Sequence, residues 1–111
     1  MTKTGSATDS ASVTREIVAE SAGMRFTLYA IAPGGEIPWH YHSAVSDWYV
    51  CREGTVAVET RDPDQRWRLA PGGMANVAVG RVHRVVNDGD GVCRFALVQA
   101  GGAYDFNRVA G

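Results

Sequence analysis

Turn-forming residues cut this chain at short, regular intervals, and that limits it to short extended segments. Pro33-Gly34-Gly35, Glu53-Gly54, Asp62-Pro63-Asp64, Pro71-Gly72-Gly73, Gly80, Asn87-Asp88-Gly89 and Gly101-Gly102 each break it. Glycine supplies positive φ, proline removes a backbone donor, and Asn and Asp side chains bond their own turns, so no long element runs through such points. Between the breaks lie runs rich in Val, Ile, Phe, Tyr, Trp and Thr, residues that suit a pleated, half-buried surface. This pattern predicts strands near Arg15–Ala19, Met24–Ile31, Ile37–His42, Asp47–Arg52, Thr55–Thr60, Arg66–Leu69, Met74–Val79, His83–Asn87 and Val92–Gln99. No segment sustains a helical period. Several runs lack polar alternation; from Val92 to Val98 only Arg94 is charged. Strands apolar on both faces are covered on both faces. Many short strands at even spacing predict an all-β antiparallel sandwich or barrel.

The chain has 111 residues, 45% of them hydrophobic and 21% charged, which suits one globular domain with a real core. A net charge of -1 offers no basic excess for phosphates, so nucleic acid is not an expected partner. No apolar run approaches the length of a membrane helix. Residues 1–12 are rich in Thr, Ser, Ala and Gly and read as a flexible arm, leaving 13–111 as the domain. The arm lacks the apolar stretch of a secretory signal, so a reducing cytoplasm is the expected location. Cys51 and Cys93 form neither a CxxC pair nor a disulfide framework and read as small buried hydrophobes.

The chain has three histidines, and two of them, His40 and His42, stand two residues apart. Alternation along a strand points both to one side, with Cα atoms about 6.6 Å apart, close enough for two imidazoles to converge on one ion. Asp47 follows a short loop and opens the next strand, from which a carboxylate can aim at the same spot. His83 heads another strand just past Gly80. Three neutral imidazoles and a carboxylate suit one divalent ion of Fe, Mn, Zn, Ni or Co, with positions left open for water or substrate. A His-x-His pair can also stand on a surface strand without any metal.

Two gapped motifs extend this reading. Gly34, His40, His42, Asp47 and Gly54 fall at the spacing of the first cupin motif, and Gly72, Ala78, Gly80, His83 and Asn87 at that of the second. The chain resembles a small single-domain cupin across residues 34–54 and 72–87. It departs from the pattern at Asp47, where the family usually has Glu, and at Ala78, where it usually has Pro. The resemblance implies a jelly-roll-like barrel, a double-stranded β-helix, with a metal inside near one mouth. Asp47 is one methylene shorter than Glu. It either ligates directly or orients a bound water from outside the coordination sphere.

If Asp47 faces inward, so do Tyr49 and Cys51, and if His83 does, so do Val85 and Asn87. Tyr49, Cys51 and Val85 are therefore the expected pocket lining. Tyr49 is the candidate proton or hydrogen-bond donor, its other reading being core packing with a satisfied hydroxyl. Arg25, Arg84 and Arg94 are candidates to clamp a substrate carboxylate only if they face inward. Arg84 neighbours His83 and is expected to face out. The same parity sends Trp39, Tyr41 and Trp48 outward, on one sheet, where they need cover from the first strand or from a second subunit. A homodimer is expected, as small cupins commonly form by resemblance.

Function has to come from the site, because the fold hosts many chemistries. One reading is a metal-dependent enzyme acting on a small oxygen-containing organic molecule, by dioxygenase, isomerase or cyclase, decarboxylase or lyase chemistry. Another is a non-catalytic module that binds or senses a small molecule. A third is a structural or storage barrel.

Overall fold

The computed structural model describes residues 12–111. The expected arm therefore lies outside the described residues except for Ser12, whose carbonyl accepts from the Ala32 N–H at 2.8 Å. All nine expected segments are strands: β1 (Val13–Ser21), β2 (Met24–Ile31), β3 (Glu36–Tyr41), β4 (Ser46–Glu53), β5 (Val56–Thr60), β6 (Gln65–Leu69), β7 (Met74–Val77), β8 (His83–Val86) and β9 (Cys93–Ala100). A tenth, β10 (Asn107–Arg108), comes from the tail. They form two antiparallel five-stranded sheets, β1-β2-β9-β4-β7 and β10-β3-β8-β5-β6, which enclose one interior. No helix among the described residues is long and apolar enough to cross a membrane.

The interior is layered from polar at one end to apolar at the other. In the first sheet, strand register sets inward residues in rows. Asp47, Gln99 and Arg25 form one row, Tyr49, Leu97 and Thr27 the next, then Cys51, Phe95 and Tyr29. In the second sheet His83 lies opposite both His40 and Thr60, with Val85 opposite Val58 and Ile37 one step deeper. Ile31, Val56, Val58, Val85, Cys93 and Phe95 are fully buried and make the apolar floor. Each fully buried aliphatic or aromatic side chain contributes about 1.5–3 kcal/mol, so this half carries the fold. The polar half is a layer of buried histidine, carboxylate and amide that stability alone does not call for.

The outer faces correct one expectation. Trp39 and Tyr41 lie on β3 and Trp48 on β4, so the three aromatics belong to different sheets. Trp39 is covered within the chain by the guanidinium groups of Arg61 and Arg84, 3.9 and 5.1 Å from its ring centroid. On the other sheet Phe26, Val98 and Trp48 stand side by side, beside a row of Leu28, Ala96, Val50 and Met74. These residues are half-buried or exposed, Trp48 by 40% and Met74 by 64%. This outer face explains the missing polar alternation of Val92–Val98.

Candidate metal centre

His40, His42, Asp47 and His83 are all buried, and one ligand atom from each falls within 4.8 Å of the others. Local backbone features put them there. Register slips between Ile37 and His40, so three residues of β3 span two of β8. This bulge at Pro38-Trp39 lets both Ile37 and His40 face inward despite their odd spacing. Pro38 lies within β3 at the bulge, where its missing N–H leaves no broken ladder bond. Gly80, at φ 80°, donates its N–H to the His42 carbonyl at 2.9 Å and so ties the turn before His83 to the end of β3. Gly54 closes the first motif at φ 71°. A Cβ there would stand 2.7 Å from the Val92 carbonyl, so only glycine fits.

Each imidazole is oriented by a backbone carbonyl. Nδ1 of His40 lies 2.7 Å from the Pro38 oxygen, Nδ1 of His42 2.6 Å from that of Asp105, and Nδ1 of His83 2.8 Å from that of Arg81. A carbonyl can only accept, so every Nδ1 carries the proton and every Nε2 of a neutral ring offers a lone pair. Those lone pairs face a carboxylate. Asp47 Oδ2 is 3.1 Å from His83 Nε2 and 3.4 Å from His42 Nε2. Acceptors at this distance repel unless a cation or proton stands between them.

The titration directions express the same demand. Burial, then the nearby His83, lowers His40 to about 3. Burial also lowers His42, but its hydrogen bond to Asp47 and that carboxylate's charge outweigh it, and the net shift is upward. Burial would raise Asp47, yet the hydrogen bonds and charges of His42 and His83 hold it well below the usual carboxylate range. Burial thus keeps His40 neutral, while His42 and Asp47 favour their charged forms beside each other. Borderline nitrogen and hard oxygen donors in this set fit a divalent transition metal.

Partners outside the cluster hold Asp47 in place. Tyr49 donates its hydroxyl to Oδ2 at 2.7 Å, and Gln99 Nε2 donates to Oδ1 at 3.0 Å. Burial raises Tyr49 well above 10, with Asp47 adding to the shift, so the phenol stays protonated and acts as a donor. Of the expected lining residues, Tyr49 borders the small chamber beside the cluster. Cys51 and Val85 face the same interior one layer deeper, at 1% and 0% exposure. Both cysteines are free and buried, and burial pushes Cys93 up to about 11. Asn87 is structural: its amide donates to the Ile31 and Gly91 carbonyls, both at 2.8 Å. Of the three arginines considered, Arg84 faces out to Glu59 and Glu36, Arg94 is exposed, and Arg25 alone is buried.

The sequence leaves the tail, Gly101 to Gly111, open to pack back on the barrel or onto a partner, and the structure folds it over the site. Residues 101–108 fold back, and Asn107 and Arg108 pair with Tyr41 and His40. The Asp105 carboxylate accepts from the Ser43 N–H at 2.8 Å and from the Ser43 hydroxyl. Phe106 stacks on His40 with centroids 4.2 Å apart, and Tyr104 lies 5.4 Å from His42. The chamber left beside the cluster is about 10 Å³. The Tyr104 and Phe106 aromatics embedded among glycines were the available signal.

A family model, the cupin domain, matches residues 27–99. An uncharacterized conserved protein with a double-stranded β-helix domain from Klebsiella pneumoniae subsp. pneumoniae MGH 78578 is similar in structure, with TM-score 0.80 and 23% identity over 93% of this chain and 89% of that one. The protein TT1209 from Thermus thermophilus is similar with TM-score 0.76 and 28% identity, over 85% of this chain and 88% of that one. The polyketide cyclase RemF from Streptomyces resistomycificus is similar with TM-score 0.76 and 20% identity, over 90% and 72%. No curated protein matches the chain. The matched span contains all four clustered residues and both motif spans, 34–54 and 72–87, and with the two-sheet architecture it shows that the chain belongs to the cupin superfamily.

Proposed function

We propose that this cupin is a metal-dependent enzyme acting on a small oxygen-containing organic molecule, with His40, His42, His83 and Asp47 as the ligands of one divalent ion. The observation that carries the reading is the set of imidazoles whose Nδ1 protons are spent on backbone carbonyls while their Nε2 atoms converge with Asp47 within 4.8 Å. When bound, the ion would supply Lewis acidity toward a substrate oxygen, or oxygen activation if it is redox-active. The chain's own groups do the rest. The backbone carbonyls keep the rings aimed, and Tyr49 and Gln99 keep the carboxylate oriented. Phe106 and Tyr104 exclude water from above the histidines. Tyr49 is a positioning residue in this scheme, because its hydroxyl proton is committed to Asp47.

The reaction falls among dioxygenase, isomerase or cyclase, decarboxylase and lyase chemistry, and the metal divides these: iron points to oxygenation, and zinc, nickel or manganese to the others. A second reading, a non-catalytic module that binds or senses a small molecule in the same pocket, is favoured by the cover that Phe106 and Tyr104 place over His40 and His42. Turnover of any substrate separates the two. We place the protein in the cytoplasm as a homodimer, a reading supported by two free buried cysteines and by the apolar outer face around Trp48. The deciding experiment is elemental mass spectrometry on untagged protein, wild type beside His83→Ala. About one equivalent of a transition metal, lost in the variant, supports the proposal. No metal in either sample after reloading removes it.

A further inference from the structure

Arg25 stands in line with the metal cluster. Strand register sets Asp47 of β4 opposite Gln99 of β9, and Gln99 opposite Arg25 of β2. All three side chains are buried, at 1%, 2% and 8% exposure. Two strand spacings separate Arg25 from Asp47, about 10 Å between Cα atoms. Between them, Gln99 already donates to Asp47 and lies 3.4 Å from His42.

The guanidinium is incompletely used. Its Nε is buried and, among the described residues, has no hydrogen-bond partner. The same Nε is ion-paired at 3.6 Å with Oε2 of Glu20, which lies opposite Arg25 on β1 and is half exposed. Otherwise Arg25 lies against the Tyr104 ring, 4.0 Å from the centroid. Arg15 is a second buried arginine on this side of the sheet. Burial raises the Tyr104 phenol to about 12, against the opposing positive charges of Arg25 and Arg15, so their field reaches the tail segment that closes the site. A buried guanidinium N–H with no hydrogen bond is costly, and planar oxyanions are the ligands that guanidinium geometry matches.

There is room for such a ligand. A cavity of about 460 Å³ lies between the β1–β2 hairpin and the tail, bordered by Glu20, Arg25, Val45, Gln99 and Tyr104, so a bound carboxylate would take the place of Glu20 on Arg25. Gln99 and Tyr104 also border the small chamber beside the metal ligands. These two side chains are the partition between an outer vestibule, of a size that holds a small organic ligand, and the candidate centre.

We propose that Arg25 binds the carboxylate of a small organic acid whose second oxygen-bearing group reaches the His40–His42–Asp47–His83 centre past Gln99 and Tyr104. The carboxylate site rests on the geometry around Arg25. The direction in which the acid points rests on the metal-dependent reading above. Arg25 then sets substrate class, and Tyr104, held by the same guanidinium, moves aside when the acid enters.

The test uses full-length, ¹⁵N-labelled protein loaded with Zn²⁺. Pyruvate and lactate are titrated against their neutral amides, pyruvamide and lactamide, while the Arg25 Nε–Hε resonance is followed, assigned by its loss in Arg25→Lys. The expected result is a saturable shift with the acids and not the amides. Acid affinity, followed in both proteins at the side-chain amide resonance of Gln99, which borders the same cavity, should fall roughly tenfold or more in Arg25→Lys, with zinc content unchanged. An equal response to acid and amide, or no response to either acid, overturns the inference; in the first case Arg25 serves only to hold Tyr104. Zinc content is read separately on the same samples. An acid-dependent shift in wild type that takes up no zinc overturns the metal reading and leaves the carboxylate site standing.

Discussion

The Tyr49 hydroxyl donates to Asp47 Oδ2 at 2.7 Å, between two side chains that are each 1% exposed. Because burial and Asp47 together keep the phenol protonated, this bond persists across the working pH range. It aims a carboxylate that is one methylene shorter than the residue the family usually has here. Tyr49→Phe removes the donor while keeping the ring and its packing on Phe95, whose centroid is 5.7 Å away. Metal affinity should fall about 10–100-fold, the usual effect of losing a hydrogen bond to a ligating group. Competition with a chromophoric chelator measures it; unchanged affinity would show that Asp47 needs no such support.

Metal should stabilise the fold, since the four ligands meet only when β3, β4 and β8 are assembled. At a thousandfold excess over Kd the gain is about 4 kcal/mol. For a domain of this size that raises Tm by roughly 15 °C. His83→Ala should melt near the metal-free wild type and gain little on adding metal. Differential scanning fluorimetry with and without a divalent ion reads both, and an equal gain in the variant would place the ion elsewhere.

The barrel and the candidate ligands were legible because both are written locally. Glycine and proline spacing marks the turns, strand alternation sets parity, and His40, His42, Asp47 and His83 lie inside two short spans. Parity turned Tyr49, Cys51, Val85 and Asn87 toward the interior, and all four are buried. What escaped depends on partners distant in sequence. Gln99 sits at the end of an apolar strand and acquires its role from register with Asp47, 52 residues away. Asp105 contributes a backbone oxygen, which any residue type supplies. The strand Asn107–Arg108 is too short to show a period. The bulge at Pro38-Trp39 breaks simple alternation, and assigning Trp48 to the same sheet as Trp39 failed because β3 and β4, though adjacent in sequence, belong to opposite sheets.

The metal-free protein should be acid-sensitive through His40. An imidazole in the unfolded chain titrates near 6.5, whereas in the fold burial and His83 lower His40 to about 3. Between these values the unfolded chain binds a proton that the fold refuses. The stability tied to neutral His40 is therefore full above pH 6.5 and is lost progressively as pH falls toward 3. From pH 7 to pH 5 the loss is on the order of 2 kcal/mol. His42, shifted upward, works in the opposite sense and favours the fold at low pH. Comparing metal-free wild type with His40→Gln isolates the term: urea melts at pH 7 and pH 5 should show the variant losing less. Parallel losses would mean that His40 titrates normally.

Self-association should run through the outer face of the β1-β2-β9-β4-β7 sheet. Phe26, Val98 and Trp48 form one row there, with Leu28, Ala96, Val50 and Met74 beside it. Charge meets these rows at the β1 edge, where Glu16 lies opposite Leu28, while Trp39 on the opposite sheet already has two guanidinium groups over it. Monomeric proteins seldom leave so continuous an apolar patch in water. Trp48 points away from the metal ligands, so Trp48→Glu should leave metal content unchanged. It would bury a carboxylate in any interface formed by this face, at a cost that one apolar contact cannot offset. Sedimentation velocity at micromolar concentration should show wild type as a dimer and Trp48→Glu as a monomer. A monomeric wild type removes the dimer, and a dimeric variant moves the interface to another face.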